Sequence, residues 1–567
     1  MYNMRSEKLT INELFHNLCR HLTAYSNLTQ VSQTFMELQT NWERVDFATN
    51  LLNSFGNLPV YDTTSLKNNE MSIQFREQGN IMFKDKQYDY ALELYTKSIT
   101  YAETGSEILG LAYANRSAVL FEKKMFRECL EDIDKAFTSN YPEANYSKLL
   151  RRRQRSEKEL TQCCSHEEPK YYEELPEFIH DVNPTIACAS NCIAITTNAE
   201  CGRHVVATKD IQIGDVIAID TPYAAIVVPE ASITHCHHCL KVVLNSIPCQ
   251  KCSYAIYCSV NCSDSAQYSY HQYECPVISV LLNLNVSKLN LLALRITILA
   301  KKDYKKIPHY GKSNSVYESA RYEEIHGLCA NTEHRTNADL FDRAIQAAVI
   351  FDIFNSYSTF FQDFGEESDV KMFKELLLLH MQTGPSNFHE ISELVRRTED
   401  STAESLEIGA GAYSFLSMIN HSCSPNVVRH CYGKSIVLRA LSPIKEGQQL
   451  FDNYGYHYAV MERSQRQKSL KLQYFFDCSC EACTDCWPLY KYLPDKNFEF
   501  DLSCDIVNDL QQAMVSTARS VLKGLLIKAA ILEKLKPCKN LADIQECIKQ
   551  CYSILANKRL MPKSAQS

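Results

Sequence analysis

Apolar residues recur at helical spacing through most of this chain and alternate only in short stretches. Leu14, Phe15, Leu18, Leu22 and Tyr25 fall on one helix face, which predicts a packed amphipathic helix. From Ser72 to about Arg155 the pattern is helix, turn, helix. Gly79-Asn80 is followed by Phe83, Tyr88, Ala91, Tyr95 and Ala102, and a second copy carries Ala114, Asn115, Ala118, Phe126, Cys129 and Ala136. The two Asn residues are 35 apart. Small residues where helices touch closely, and aromatics where they stand apart, predict a helical repeat continued by a third helix over Lys148–Leu160. Apolar and polar positions alternate through Ile211, Gly214-Asp215 and Val216, as in strands. Helical spacing returns around Leu281–Leu299 and Ala344–Phe361, at Ile506, Leu510, Met514, Ala518, Val521, Leu522 and Leu525, and from Leu541 to Leu555. The fold class these patterns predict is α+β.

Length turns this into several domains: 567 residues is room for roughly three or four cores. A chain 45% hydrophobic and 22% charged is globular rather than disordered. The net charge of -8 gives no global attraction to nucleic acid or acidic membranes. MYNMRSEKLT at the N-terminus has no secretory hydrophobic core. The most apolar stretch, around Leu291–Ala300, is short and contains Arg295, so no membrane span is expected. The 25 cysteines cluster at metal spacing, which argues for a reducing compartment. Cys19, Cys129 and Cys329, outside the clusters, read as small buried hydrophobes.

The densest chemistry is four pairs: Cys236-x-x-Cys239, Cys249-x-x-Cys252, Cys258-x-x-x-Cys262 and His271-x-x-x-Cys275. Two or three intervening residues let two donors from one turn reach one ion, and eight donors close two tetrahedral zinc sites with no open position. The segment is poor in large aliphatics, so metal binding is expected to supply its folding energy. Further on, Cys478-x-Cys480-x-x-Cys483 is one donor short of a third closed site, with Cys486 as a local candidate for the fourth.

The order of the pairs, with Tyr257 just before the fifth ligand, resembles the MYND zinc finger. That resemblance implies an interleaved partition: Cys236, Cys239, Cys258 and Cys262 on one zinc, and Cys249, Cys252, His271 and Cys275 on the other. Flanking it lie Gly202-Arg203-His204-Val205-Val206-Ala207, then Asn420-His421-Ser422-Cys423-Ser424-Pro425-Asn426, Leu450-Phe451-Asp452-Asn453-Tyr454-Gly455, and Gln473-Tyr474-Phe475-Phe476-Asp477-Cys478. Their order and spacing resemble a SET domain split by a MYND finger, as in the SET and MYND lysine methyltransferases, and the preceding repeats resemble the tetratricopeptide (TPR) block of one subgroup.

The resemblance implies transfer of a methyl group from S-adenosylmethionine to lysine of a protein, histone or not. It places the cofactor against Cys201, Gly202, Arg203, Asn420, His421, Tyr454, Tyr474 and Phe476. Tyr454 would point at the transfer site and Tyr474 would line the lysine channel as the second catalytic tyrosine. Cys423 would complete the site of Cys478, Cys480 and Cys483, making three structural zincs. In the repeats, Arg76, Asn80, Asn115, Lys148 and Arg152 match a clamp for chaperone tails ending in Glu-Glu-Val-Asp. MYND fingers elsewhere bind proline-containing peptides.

The implied organisation is an N-terminal helical region over 1–68, TPR repeats over 69–160, a linker over 161–182 and the first part of the SET domain over 183–235. Then come the MYND finger over 236–275, a helical SET insertion over 276–400, the SET core over 401–460, a Cys-rich post-SET segment over 461–490, and C-terminal helices over 491–567. The expected location is cytoplasmic and nuclear, with no direct nucleic-acid or membrane partner. Cys201 and His204 stand where the family has Lys and Gly, and Gln stands for Glu in Lys445-Glu446-Gly447-Gln448-Gln449, which bears on cofactor affinity. The alternative is a catalytically weak TPR–MYND adaptor.

Overall fold

The structure is a computed structural model that describes residues 10–25, 27–54, 67–162, 174–311, 316–363, 365–397, 401–496 and 503–560. Parts of the expected N-terminal region (1–9, 55–66) and of the expected linker (163–173) lie outside the described residues. The chain divides into two compact units. One comprises 1–170, 226–304 and 335–381; the other comprises 171–225, 305–334 and 382–567.

The first unit is helical apart from a short hairpin. It opens with helices Ile11–Ala24, Leu28–Glu37 and Asn41–Ser54. Thr10 starts the first: its hydroxyl accepts the Glu13 N–H while Glu13 Oε2 accepts the Thr10 N–H at 2.6 Å, satisfying two donors that the helix end would otherwise leave open. Ile11, Leu14, Leu18 and Leu22 are buried. Tyr25, read as part of that face, is exposed instead, because the helix has already ended at Ala24.

Five helices follow: Asn69–Lys84, Tyr88–Tyr101, Glu107–Glu122, Phe126–Thr138 and Tyr146–Gln162. Gly79 is needed where it stands, because a Cβ there would lie 2.7 Å from the Tyr95 ring. Arg116 is fully buried and donates to both oxygens of buried Asp132, at 2.7 and 2.9 Å. Its remaining donors reach Ser246 O at 2.9 Å and Ser246 Oγ at 3.0 Å in the Cys/His segment. A buried guanidinium is tolerable only with its donors filled, so this pair joins the helical array to the segment 236–275. Lys135 adds a bond from Nζ to Asn245 O at 2.6 Å.

The stretch expected as a helical insertion over 276–400 is only partly so. Helices Ile278–Asn283 and Lys288–Leu299 are separated by Asn285, at φ 57, a left-handed conformation that ends a helix and that Asn tolerates. Helix Asn337–Tyr357 follows, but Phe388–Arg396 is a strand paired antiparallel with Glu404–Ala412. The alternation there is masked because Glu393 occupies an inward position between Ile391 and Val395. Arg559 pairs with it at 3.1 Å from a strand, Lys558–Leu560, that runs parallel beside the same edge.

The second unit carries the sheets. Ile193–Asn198 and Gly202–Ala207 form a hairpin whose turn is closed by Asn198 Oδ1, which accepts from Glu200 N and Cys201 N. Gly202 holds φ +64, a value glycine adopts without strain. Val427–Tyr432, Ser435–Ala440 and Val216–Asp220 form an antiparallel sheet. Two residues of each of two distant segments pair in parallel, Phe451 with Asn420 and Asp452 with His421. Helices Cys504–Gln511, Val515–Leu532 and Lys539–Ile554 pack through Leu510, Ala518, Leu525, Leu541 and Ile548. Among the described residues no helix is long and apolar enough to cross a membrane. Of the lone cysteines read as buried, Cys129 is buried, Cys19 is half-buried and Cys329 is exposed.

Candidate active site and metal centres

Three groups of four donors each converge so that their ligand atoms lie within 4.8 Å of one another. The first is Cys236, Cys239, Cys258 and Cys262; the second is Cys249, Cys252, His271 and Cys275; the third is Cys423, Cys478, Cys480 and Cys483. These are the sets that the resemblance implied, and spacing alone did not separate the first two. A zinc bound by sulfur at about 2.3 Å spaces its donors about 3.8 Å apart in a tetrahedron. The donor separations fit: Cys239–Cys258 is 3.6 Å, Cys249–Cys275 is 3.8 Å, Cys252 to His271 Nε2 is 3.6 Å, and Cys423–Cys478 is 4.0 Å. Four donors leave no open coordination position, so zinc held here would be structural. Cys486 is exposed and outside the third group.

Arg466, on helix Arg463–Tyr474, supports the third group and was not singled out from sequence. It is buried, and its Nε donates to Cys423 Sγ at 3.1 Å. N–H donors to ligating sulfur spread thiolate charge and fix ligand geometry.

The parallel pair places the remaining site residues. With Asp452 beside His421, Tyr454 falls two residues further on, next to the His421 ring (5.2 Å between centroids). The Tyr454 N–H donates to His421 Nδ1 at 3.1 Å, and the Tyr454 hydroxyl donates to Ile419 O at 2.7 Å. Tyr474 ends helix Arg463–Tyr474 because Phe475 turns left-handed, at φ 64. Its ring lies 4.7 Å from that of Tyr454. Phe476 is 6.2 Å from His421, and Asn420 Nδ2 donates to Cys201 O at 3.4 Å. Cys201, Gly202, Asn420, His421, Tyr454, Tyr474 and Phe476 therefore form one connected cluster. Arg203 instead donates to Gly327 O at 2.6 Å. The space in front of Gly202 is open, and with half-buried Asn420 and the aromatic wall it fits a ligand bearing amino-acid and flat aromatic parts.

Electrostatics set the state of these groups. Burial pushes the Tyr474 hydroxyl up to about 12, and burial followed by Asp452 holds Tyr454 above the usual range. Both stay protonated at neutral pH. Burial brings His421 down to about 4, leaving a neutral ring whose Nδ1 accepts. A second layer is charged. Arg429 donates to Asp452 Oδ2 at 2.7 Å and lies 2.9 Å from His389 Nδ1. Asp220 is fully buried, and burial raises its pKa to about 6. It accepts the Leu416 N–H at 3.1 Å and so braces the turn leading to Asn420. The chain pattern gave no signal for Arg429, His389 or Asp220 as site residues.

In the helical array Asn80 Oδ1 accepts from both Asn115 Nδ2 and Tyr95 OH at 2.8 Å. Arg76 and Arg152 both act on the Tyr95 hydroxyl. Arg152 is not free: one nitrogen donates to Ala114 O and Ser117 Oγ at 2.7 Å. Lys148 is exposed. Tyr95 is the member of this cluster that sequence reasoning treated only as packing.

The SET domain family model matches residues 202–455, which takes in the second strand of the hairpin, Asn420-His421 and Tyr454. A protein-lysine N-methyltransferase SMYD4 from Danio rerio is 29% identical, covering 74% of this chain and 66% of that protein. The chain is similar to SET and MYND protein-lysine methyltransferases over most of its length. The SMYD4 of Homo sapiens is 26% identical with coverage of 74% and 67%, and the N-lysine methyltransferase SMYD2 of Homo sapiens is 25% identical with coverage of 50% and 58%. The chain spans about two thirds of the length of the SMYD4 relatives it matches.

Proposed function

We propose that this chain is an S-adenosylmethionine-dependent protein-lysine N-methyltransferase. The observation that carries the reading is the meeting of Tyr454 and Tyr474, 4.7 Å apart, at the end of the Asn420-His421 segment. The cofactor supplies an electrophilic methyl group. The chain's part is to align and to exclude water. Asn420 and the hairpin turn at Gly202 hold the amino-acid end, and Phe476 walls the adenine. The two tyrosine rings enclose an apolar lysine stem and suit a cationic head. Because the Tyr454 hydroxyl donates its hydrogen bond to Ile419 O, the lone pairs of its oxygen are left to accept at the transfer site. Calorimetry with S-adenosylmethionine tests the reading. The full chain is expected to bind it, and absence of binding would replace the enzyme by a TPR–MYND adaptor.

Three further roles belong to the same proposal. The Cys/His segment 236–275 is a MYND finger that can take a proline-containing peptide. The enzyme works in cytoplasm and nucleus on histone or non-histone proteins. The helical array is a TPR clamp for an acidic chaperone tail, supported by Asn80 Oδ1 accepting from both Asn115 and Tyr95, by the charges of Arg76 and Arg152 felt at the Tyr95 hydroxyl, and by exposed Lys148. A peptide ending in Glu-Glu-Val-Asp is expected to bind, and amidating its terminal carboxylate should weaken binding by about 1.5–3 kcal/mol, the worth of a charge-assisted hydrogen bond. Equal affinity of acid and amide by calorimetry would leave a plain helical scaffold.

A further inference from the structure

A lysine side chain carries its amine on a flexible apolar stem, so a channel that presents it needs walls beyond the two rings at the transfer site. A third ring stands in series with that pair. Tyr456 lies edge-on to Tyr474, with 6.5 Å between centroids and 82° between planes, and Tyr474 in turn lies 4.7 Å from Tyr454. The turn that places Tyr456 is local. Asn453 Oδ1 accepts the Gly455 N–H at 2.9 Å. Gly455 holds φ +99 with open space where a Cβ would stand, a backbone angle that glycine adopts without strain.

One side chain fastens this ring. The Tyr456 hydroxyl donates to Gln473 Oε1 at 2.8 Å. Gln473 Nε2 donates to Pro385 O and to the Tyr474 hydroxyl oxygen, both at 3.3 Å. Pro385 sits in the last turn of helix Glu367–Asn387, where carbonyls lack an intrahelical partner. A carbonyl only accepts, so it fixes which end of the amide faces it and leaves Oε1 for Tyr456. Ser386 Oγ donates to Gln473 O at 3.5 Å and closes the same junction. Gln473 is exposed, whereas Tyr456 and Tyr474 are half-buried. Water could satisfy an exposed amide, yet this one is engaged at three points around two tyrosines.

Resting on the methyltransferase reading, we infer that Tyr456 is a third wall of the lysine channel and that Gln473 is the positioning residue that holds its ring and the Tyr474 hydroxyl in one arrangement. Rings set nearly perpendicular border a side chain on two sides, and an aromatic face attracts a cationic head as well as an apolar stem. The Tyr456 ring meets the stem alike in the bound substrate and in the transition state, so the ring serves binding. Gln473 touches neither substrate nor cofactor. It acts through Tyr474, so its removal loosens alignment at the reacting atoms.

The test is steady-state kinetics on the full chain, with the peptide that the parent methylates fastest in a one-lysine library as the probe, and calorimetry with S-adenosylmethionine. Tyr456→Phe keeps the ring and loses only the bond to Gln473, so kcat should fall about threefold with KM near the parent's. Tyr456→Ala should share that kcat, with a KM for the peptide about fivefold above that of Tyr456→Phe, because the ring alone separates the two and its loss removes binding common to ground and transition states. Gln473→Ala should lower kcat about tenfold. The double variant Tyr456→Phe/Gln473→Ala should fall no further than Gln473→Ala, since both changes remove the same bond. Cofactor affinity should match the parent's in all four. A double variant that falls about thirtyfold, as independent effects would, would overturn the inference while an active parent keeps the methyltransferase reading. Equal KM in Tyr456→Ala and Tyr456→Phe, or losses matched by weaker cofactor binding, would do the same. A parent that transfers no methyl to any peptide would overturn both.

Discussion

Tyr454→Phe should lower kcat by about 10²–10³-fold while S-adenosylmethionine binding stays near that of the parent. The ring packs against Tyr474 and His421, and phenylalanine keeps those contacts. The hydrogen bond to His421 Nδ1 comes from the Tyr454 backbone N–H, so it survives too. What is lost is the hydroxyl, fixed by Ile419 O at 2.7 Å and offering its oxygen to the transfer site. A positioned polar group acts in the transition state more than in the bound state, so the loss belongs in kcat and not in KM. Single-turnover kinetics with calorimetric cofactor binding check this. An unchanged kcat would make Tyr454 a packing residue.

Cys423→Ser should remove a metal ion and most of the activity together. Elemental analysis of the parent is expected to give about three zincs per chain, and of the variant about two, since three thiolates do not close a structural site. The effect reaches the chemistry because His421 is two residues away, with Nε2 3.5 Å from Cys423 Sγ, and because Cys478 follows Tyr474 and Phe476 closely in sequence. One ion held by Cys423, Cys478, Cys480 and Cys483 would tie the segment bearing Asn420 and His421 to the end of the helix bearing Tyr474. Loosening that tie is expected to cost on the order of 10²-fold in kcat/KM. Cys486→Ser is the control: its sulfur is exposed and outside the group, so three zincs and the parent rate are expected. Loss of zinc from Cys486→Ser with retention in Cys423→Ser would reverse the ligand assignment.

How much of this could be read beforehand depended on chain distance. Donor pairs two or three residues apart announce themselves, because one turn must present both to an ion, and all twelve donors were legible in that way or through resemblance. Which pairs share an ion is a property of the fold, and interleaving of Cys236 and Cys239 with Cys258 and Cys262 leaves no mark in local spacing. The helices were legible because apolar spacing survives in them, whereas strand Phe388–Arg396 was hidden by an inward Glu393 whose partner, Arg559, is 166 residues away. Arg429 and its partners His389 and Asp452, 40 and 23 residues distant, lie in apolar or loop-like surroundings where each alone suggests nothing. Only the strand pairing that sets Asp452 beside His421 turns them into one layer behind the tyrosines.

Methyl transfer to lysine at the Tyr454–Tyr474 pair is tested by mass spectrometry of a lysine peptide library incubated with the full chain and S-adenosylmethionine. Methyl groups added to lysine Nζ are expected, dependent on cofactor and nearly absent in Tyr454→Phe. A parent chain that binds the cofactor yet leaves every lysine unmodified, or a Tyr454→Phe variant that modifies them as fast as the parent, would contradict it.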